Sequence, residues 1–192
     1  MTNSVPTREL VRLQGLQVKV GQLLVKNKLD DLLKDDLGRL YEALELSVAK
    51  LDSLNLQGIA LNNIDNAETR HDIRNAIGIT KGYAELIKDT VESPSASLSN
   101  LLDKIMLWSA KTISTLERTP IKRDDSKPSL IHSLKPQQEY RGHILILDDE
   151  PANRELLSRH IQQLGMQPFA CEKAEQAVSY THLRAHETRE DR

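Results

Sequence analysis

The chain has 192 residues, of which 28 are acidic and 26 basic, so its formal net charge is −2. This length suits one or two small domains, and the balanced charge gives no strong attraction to nucleic acid or to a membrane, so neither is expected as a partner. The single cysteine, Cys171, cannot form an intrachain disulfide, and no apolar run approaches the roughly twenty residues of a membrane span. We therefore expect a cytoplasmic protein in a reducing compartment.

Residues 1–60 are predicted to form two N-terminal helices. The first covers residues 7–25 and the second residues 30–54, because apolar residues recur at helical spacing in both. Such helices either transmit a signal or simply pack as part of a bundle, and the sequence leaves both interpretations open. The apolar positions are Leu10, Leu13, Val20, Leu24, Leu33, Leu37, Leu40, Leu44, Val48 and Leu51.

Residues 61–118 are predicted to form a hairpin of two antiparallel helices. In the first helix, steps of four and three residues alternate between apolar positions, which is typical of a coiled-coil seam. Residues 92–95, Glu-Ser-Pro-Ser, break the chain between the two helices. The seam of the first helix consists of Ile73, Ile77, Thr80, Ala84, Ile87 and Val91.

The second helix of the hairpin also has one apolar side, and two helices cannot bury both stripes alone. Pairing with a second copy of the chain would complete a four-helix bundle, so a homodimer is expected. The N-terminal helices of the same chain offer an alternative, and the sequence does not decide between them. The apolar side of the second helix consists of Leu98, Leu102, Ile105, Ser109, Leu116 and either Thr112 or Ile113.

His71 falls off the seam and should face solvent. A neutral imidazole is a competent nucleophile towards a phosphoryl group, and the carboxylate of Asp72 is placed to hold one ring N–H and fix the tautomer. Asn75 follows His71 by four residues and shares its face of the helix, while Arg74 adds positive charge near an incoming phosphate. The candidate catalytic residues are therefore His71, as the nucleophile, with Asp72 and Asn75 beside it.

The run from His71 to Asn75, continued by Ile77 and residues 82–87, resembles the H-box of the dimerisation and phosphoacceptor domain of bacterial sensor histidine kinases. The resemblance implies a phosphohistidine at His71 and an amide at Asn75 that positions a water for its hydrolysis. The family commonly has proline where this chain has Ala76; alanine favours a straighter helix, which puts any bending for catalytic switching in doubt. The alternative is a polar helix turn with one ordinary histidine.

Residues 119–141 contain three prolines and a mixed run of charges, which predicts a mobile linker. A histidine kinase needs an ATP-binding domain after its two-helix hairpin, but this segment is far below the usual minimum domain size of about fifty residues. It also contains no glycine-rich nucleotide loop. We therefore expect no autonomous kinase activity, so a partner histidine kinase or phosphorelay protein must phosphorylate His71.

Residues 144–147, Ile-Leu-Ile-Leu, predict a strand buried on both faces of a parallel sheet. Asp148 and Asp149 follow at its carboxyl end, where open α/β sheets bind ligands, and paired carboxylates there suit Mg²⁺. A helix over residues 153–164 and a second strand over residues 166–171 are predicted next. The alternative is an acidic turn after an ordinary buried strand.

The strand and the acidic pair resemble the start of a response-regulator receiver domain, here residues 142–177. The resemblance implies a flavodoxin-like fold, Mg²⁺ as cofactor and a phosphoaccepting aspartate at the end of a third strand. No third strand is visible and Asp191 follows no apolar run, so we expect an incomplete receiver and an incomplete metal site at Asp148 and Asp149. Residues 178–192 resemble translated sequencing-adapter read-through and are expected to be a non-native tail.

The predicted fold class is mainly α: an antiparallel helical hairpin or bundle followed by the N-terminal part of a doubly wound α/β receiver. This order resembles the front of bacterial response regulators that continue into an adenylate or guanylate cyclase domain. We therefore expect a fragment of a two-component phosphorelay protein. The alternative is a non-catalytic dimerisation or interaction module in which His71 is never phosphorylated; a helical DNA-binding regulator is disfavoured because no basic recognition helix is present.

Overall fold

The structure, a computed structural model, describes residues 7–26, 29–117 and 142–180. These residues are mainly helical, with a small two-stranded parallel sheet. The chain divides into two compact units, residues 1–123 and residues 124–192. The predicted linker over residues 119–141 and residues 181–192 of the predicted tail lie outside the described residues.

The two N-terminal helices lie close to their predicted limits. Helix α1 spans Arg8–Lys26 and helix α2 spans Asp31–Leu56. Asp30 caps α2, because its carboxylate accepts a hydrogen bond of 2.7 Å from the backbone N–H of Leu33. The apolar positions with less than one tenth of their surface exposed include Leu10, Leu13, Leu16, Val20, Leu37, Leu40, Leu44, Leu51 and Leu54, while Leu24, Leu33 and Val48 are half-buried.

The next two helices also lie where the sequence predicts them. A short 3-10 helix, Leu61–Asn63, leads into α3, which spans Ala67–Thr90, and α4 spans Ala96–Leu116. Asn66 caps α3 by accepting hydrogen bonds from two backbone N–H groups of its first turn. Ser95 caps α4 in the same way with one N–H.

Helices α1 to α4 form a four-helix bundle within one chain. Helix α2 packs against α1 and α3, and α4 packs against α3 and α1, so the ring of helices is closed. Ion pairs of Lys88 with Asp103 at 2.6 Å and of Arg74 with Glu117 at 3.2 Å show that α3 and α4 run antiparallel. The N-terminal helices therefore complete the bundle, which was one of the two arrangements left open. A homodimer stays a prediction, but the α3 seam that suggested it is covered by the same chain.

Helix α3 is buried along two stripes rather than the single predicted seam, because α2 and α4 both pack on it. The predicted seam is buried from Ile73 to Ile87, but Val91 lies beyond the end of the helix and is half-buried. On the apolar side of α4, where the sequence allowed either Thr112 or Ile113, the buried residue is Thr112 and Ile113 is half-buried. The second buried stripe of α3 consists of Ala76, Ile79, Tyr83 and Leu86.

The second unit has a strand–helix–strand arrangement. Strand β1 spans His143–Leu147 and strand β2 spans Gln167–Cys171; they pair in parallel, in register from the first residue to the last. Helix α5, Pro151–Gln163, connects them and packs against both. Gly165 ends the α5 turn with φ +77°, a conformation that favours glycine. Residues 174–180 are helical as well.

The prediction that β1 is buried on both faces is wrong. Ile146 is buried, but Leu147 is 53% exposed and Ile144 is 37% exposed. Within the described residues only β2 pairs with β1, so one edge of β1 is open and the sheet is too small to bury both faces.

The first residues of the predicted non-native tail take part in packing. Residues 178–180 continue the helical stretch that begins at residue 174. The ring of Tyr180 stacks on that of Phe169 in β2, with centroids 3.9 Å apart and planes at 9°. The origin of the tail stays a prediction.

Candidate functional site

His71 lies in the second turn of α3, on the outer surface of the bundle. Its side chain is 68% exposed, while Ile73 and Ile77 on the same helix point into the core. The register that buries these isoleucines therefore places the imidazole in solvent, as the sequence predicts, where a partner protein can reach it.

Asn75 lies one helical turn after His71 and contacts its ring. The side-chain nitrogen of Asn75 is 3.3 Å from Nδ1 and 3.5 Å from Nε2, so Nδ1 is the nitrogen more closely engaged. An amide N–H donating to Nδ1 suits a ring protonated at Nε2. Turning the amide by 180° would place its oxygen at Nδ1 and favour the other tautomer, which has Nε2 free as a nucleophile.

Asp72 makes its hydrogen bond to a different partner from the one predicted. Its Oδ2 accepts a hydrogen bond of 3.1 Å from Nζ of Lys50 in α2. The other carboxylate oxygen lies 3.9 Å from Nδ1 of His71, which is too long for a hydrogen bond. The carboxylate thus interacts with the ring through charge alone at this distance, and its predicted role in fixing the tautomer stays a prediction.

The cations beside His71 are tied to the bundle. Arg74, predicted to meet an incoming phosphate, pairs with Glu117 at the end of α4 at 3.2 Å, and Arg70 donates a hydrogen bond of 3.0 Å to the carbonyl oxygen of Ile64. The Arg74–Glu117 and Lys50–Asp72 ion pairs are partly exposed and cost little to open. Lys50 and Glu117 were not predicted as parts of the site, and no local pattern signals either of them, because both reach it only through tertiary packing.

Ala76, where the resembled family commonly has proline, is buried and lies within an uninterrupted helix. Its carbonyl oxygen accepts a hydrogen bond of 3.1 Å from the hydroxyl of Thr80. Alanine keeps its own backbone N–H and fits against the neighbouring helix, so α3 continues without a break past the histidine.

A cavity of about 600 Å³ opens beside the same turn of α3. Lys50 and Asp72 form part of its wall, and the buried side chains of Leu54, Ile64 and Ile73 form its apolar part. The cavity therefore shares the Lys50–Asp72 ion pair with the surroundings of His71.

Asp148 and Asp149 lie at the carboxyl end of β1, as predicted, but the described residues do not fit a complete magnesium site. Oδ1 of Asp148 accepts a hydrogen bond of 2.9 Å from the N–H of Glu150, and both its oxygens lie 3.4 Å from the amide nitrogen of Asn153. The described residues contain no group of three or more acidic, histidine or cysteine side chains placed to hold a metal. Asp148 thus forms a turn with Glu150 just before α5, whose N-cap residue, Glu150, has no capping hydrogen bond from its own side chain.

Comparison with known proteins finds no match to the chain among protein-family models, curated proteins or solved structures. None of the helices in the described part of the chain has the length and apolar character needed to cross a membrane.

Proposed function

We propose that the helical unit carries a phosphohistidine in two-component phosphorelay signalling, with His71 as the phosphoacceptor. The observation that supports this most is the exposed imidazole on the outside of a closed four-helix bundle, with the Asn75 amide on its ring. Since nothing in the bundle resembles a nucleotide-binding loop, the phosphoryl group would come from a partner histidine kinase or another phosphorelay protein.

The chemistry needs a ring protonated at Nδ1. The lone pair of Nε2 in His71 attacks the phosphorus of the donor, an N–P bond forms, and the bond to the donor's leaving atom breaks with its electron pair. With the Asn75 amide turned by 180° from its orientation in the structure, its oxygen would accept the Nδ1 proton and stabilise the positive charge that develops on the ring. Opening the exposed Arg74–Glu117 pair would free a guanidinium for the phosphoryl oxygens. Asn75 also lies where it can orient a water for later hydrolysis.

For the second unit we propose the start of a receiver domain, because its first strand and acidic pair resemble those of response regulators. The parallel strand–helix–strand arrangement with two acids after the first strand supports this proposal. Asp148 and Asp149 alone do not complete a site for Mg²⁺, and the described residues supply no third ligand beside them. The whole protein would then be a regulator of the response-regulator or hybrid type, with an output that lies outside the described residues.

The test uses the full chain, radiolabelled ATP and a panel of purified bacterial histidine kinases. ATP alone should give no label, and a cognate kinase should give a label that is stable in base and labile in acid. The label should disappear in His71→Gln and persist in the control His143→Gln, which removes an exposed histidine of the other unit. Asn75→Ala should lengthen the lifetime of the label. Labelling by ATP alone, or labelling that survives His71→Gln, would contradict the proposal.

The second candidate is a non-catalytic interaction module. It is favoured by one observation: Asp72, expected to serve the histidine, is bound to Lys50 instead. In that case Lys50 and Asp72 only join α2 to α3, and no kinase in the panel would label His71 although the bundle is folded.

A further inference from the structure

Helix α1 carries a row of exposed valines on the side that faces away from the bundle core. Val11, Val18 and Val25 are 51%, 58% and 86% exposed, whereas Leu13 and Val20 on the opposite side are buried. Single exposed apolar residues are ordinary on protein surfaces. These three, however, repeat every seven residues and so form one line along the helix, as the seam of a coiled coil does.

A row of cations runs beside the valines. Arg12 follows Val11 and Lys19 follows Val18, so the same pair of residue types recurs after one heptad. Arg12 and Lys19 make no ion pair with any residue of the described ranges. If the valines are the d positions of a heptad, Arg12 and Lys19 are e positions, which in coiled coils select the charge of the partner.

Trp108 of α4 gathers further positive charge at the start of this face. The guanidinium carbons of Arg8 and Arg12 lie 5.3 and 5.5 Å from the ring centroid, and Nζ of Lys111 lies at 4.6 Å. Attraction to the ring holds each cation, but like charges this close repel one another. An acidic group of a partner would relieve that repulsion without rearranging the side chains.

We propose that the outer face of α1 binds an acidic amphipathic helix of a partner protein. The partner helix would lay an apolar stripe on Val11, Val18 and Val25 and place carboxylates against Arg12 and Lys19. This surface is independent of the phosphoacceptor role proposed for the bundle.

The charges and the shape of the face select this occupant. A second copy of α1 would bring the same cations and place Arg8, an a position of the same heptad, inside the seam. A membrane surface is matched by a broad apolar face with bulky side chains, whereas this stripe is one valine wide. The buried stripe of α1, including Leu10 and Val20, already serves the bundle core.

The test measures binding of a fluorescein-labelled synthetic peptide of three heptads to the full chain by fluorescence anisotropy. The peptide has leucine at positions a and d and glutamate at e and g; matched peptides have lysine in place of glutamate or a scrambled order. The glutamate peptide should bind saturably. Its affinity should fall as the salt concentration rises from about 0.01 M to about 1 M, because the screening length falls from ~30 to ~3 Å.

Two variants locate the site. Val18→Ser should weaken binding of the glutamate peptide at least about tenfold, because it removes the apolar side chain that would be buried at the centre of the stripe. The control Leu46→Ser, at an exposed leucine of α2, should not change binding. Reversing both charges, Arg12→Glu with Lys19→Glu, should switch preference to the lysine peptide. Circular dichroism melts establish that each variant is folded.

Three results would overturn the proposal. One is equal binding of the glutamate and scrambled peptides, or binding that neither Val18→Ser nor the charge reversal alters. Another is Val18-dependent binding to vesicles of phosphatidylglycerol in the absence of peptide binding. The third is a dimer of the wild-type chain, measured by light scattering, that Val18→Ser dissociates.

Discussion

The buried hydrogen bond between Ser47 and Thr80 gives a quantitative test of the intrachain bundle. The two hydroxyl oxygens lie 2.9 Å apart, and their residues are 1% and 0% exposed. Thr80 also donates to the carbonyl oxygen of Ala76 at 3.1 Å. Because a hydroxyl has one proton, Ser47 must be the donor to Thr80. The bond therefore joins α2 to the α3 seam without help from solvent.

Each substitution has a different expected cost. Thr80→Val leaves the Ser47 hydroxyl buried without its acceptor, which should lower the free energy of unfolding by about 1–3 kcal/mol. Ser47→Ala removes one hydrogen bond while Thr80 keeps Ala76, so about 0.5–1.5 kcal/mol is expected. Combining both leaves no unsatisfied hydroxyl, so the double variant should cost less than the sum by about 1 kcal/mol or more.

The assay is urea unfolding followed by circular dichroism, at two protein concentrations about tenfold apart. Thr115→Val serves as a control, because that hydroxyl donates within its own helix, to the carbonyl of Lys111. If the changes in the free energy of unfolding for Ser47→Ala and Thr80→Val add to within about 0.5 kcal/mol in the double variant, the two hydroxyls do not form this buried hydrogen bond. A transition midpoint that rises with protein concentration would contradict the intrachain bundle, since the seam would then be covered by a second copy.

Packing and charge also determine how three other changes should act. Gly78→Ala should stabilise α3 by about 0.5–1 kcal/mol, because the added Cβ meets no atom within 4 Å. Gly21→Ala should stabilise its helix less, because the added Cβ would lie 3.1 Å from an aromatic ring of α2. Thermal melts of the two variants test this difference. The hydrogen bond and charge of Asp103 raise the pKa of Lys88 above its ordinary 10.5, so the stability from this pair is present below that pH and lost as pH rises through the raised pKa. The difference in melting temperature between the wild type and Asp103→Asn should therefore shrink as the pH rises through the raised pKa of Lys88. A difference that stays constant over that pH range would contradict the prediction. Residues 140–192 alone should not unfold cooperatively, because apolar side chains of both strands stay exposed. They should also not accept phosphate from acetyl phosphate with Mg²⁺, because Asp148 and Asp149 alone do not complete a site for the ion. A cooperative melt or a labelled fragment would be the opposite result.

The helices of the bundle could be predicted from the sequence because amphipathic periodicity records which side of a helix is buried. The limits of α1 to α4 and the burial of Ile73, Ile77 and Leu102 follow from that pattern. Periodicity does not record what covers a buried side. The sequence therefore left open whether the chain's own N-terminal helices or a second copy pack on the α3 seam.

The candidate site was predictable only in part, for a related reason. The exposure of His71 and its contact with Asn75 follow from spacing along one helix. The bonds of Asp72 to Lys50 and of Arg74 to Glu117 join residues far apart in the sequence. They depend on how the helices pack, which no local pattern records.

The burial of β1 was predicted wrongly because an apolar run shows only that a strand can be buried. Ile144 and Leu147 have the residue types of a central strand, yet both keep more than a third of their surface exposed. Burial on both faces also requires neighbouring strands and helices, and β1 has one paired neighbour among the described residues.

The proposed role of His71 as a phosphoacceptor can be tested without any partner protein. The full chain, which has six histidines, is incubated at neutral pH with phosphoramidate, a small donor that phosphorylates histidine, and each site is followed by peptide mass mapping. His71 should be labelled at least about tenfold faster than the exposed His143, a difference of about 1.4 kcal/mol in the activation free energy. His71→Gln should remove the dominant phosphohistidine. Labelling of His71 no faster than of His143, in a chain shown to be folded, would contradict the proposed role.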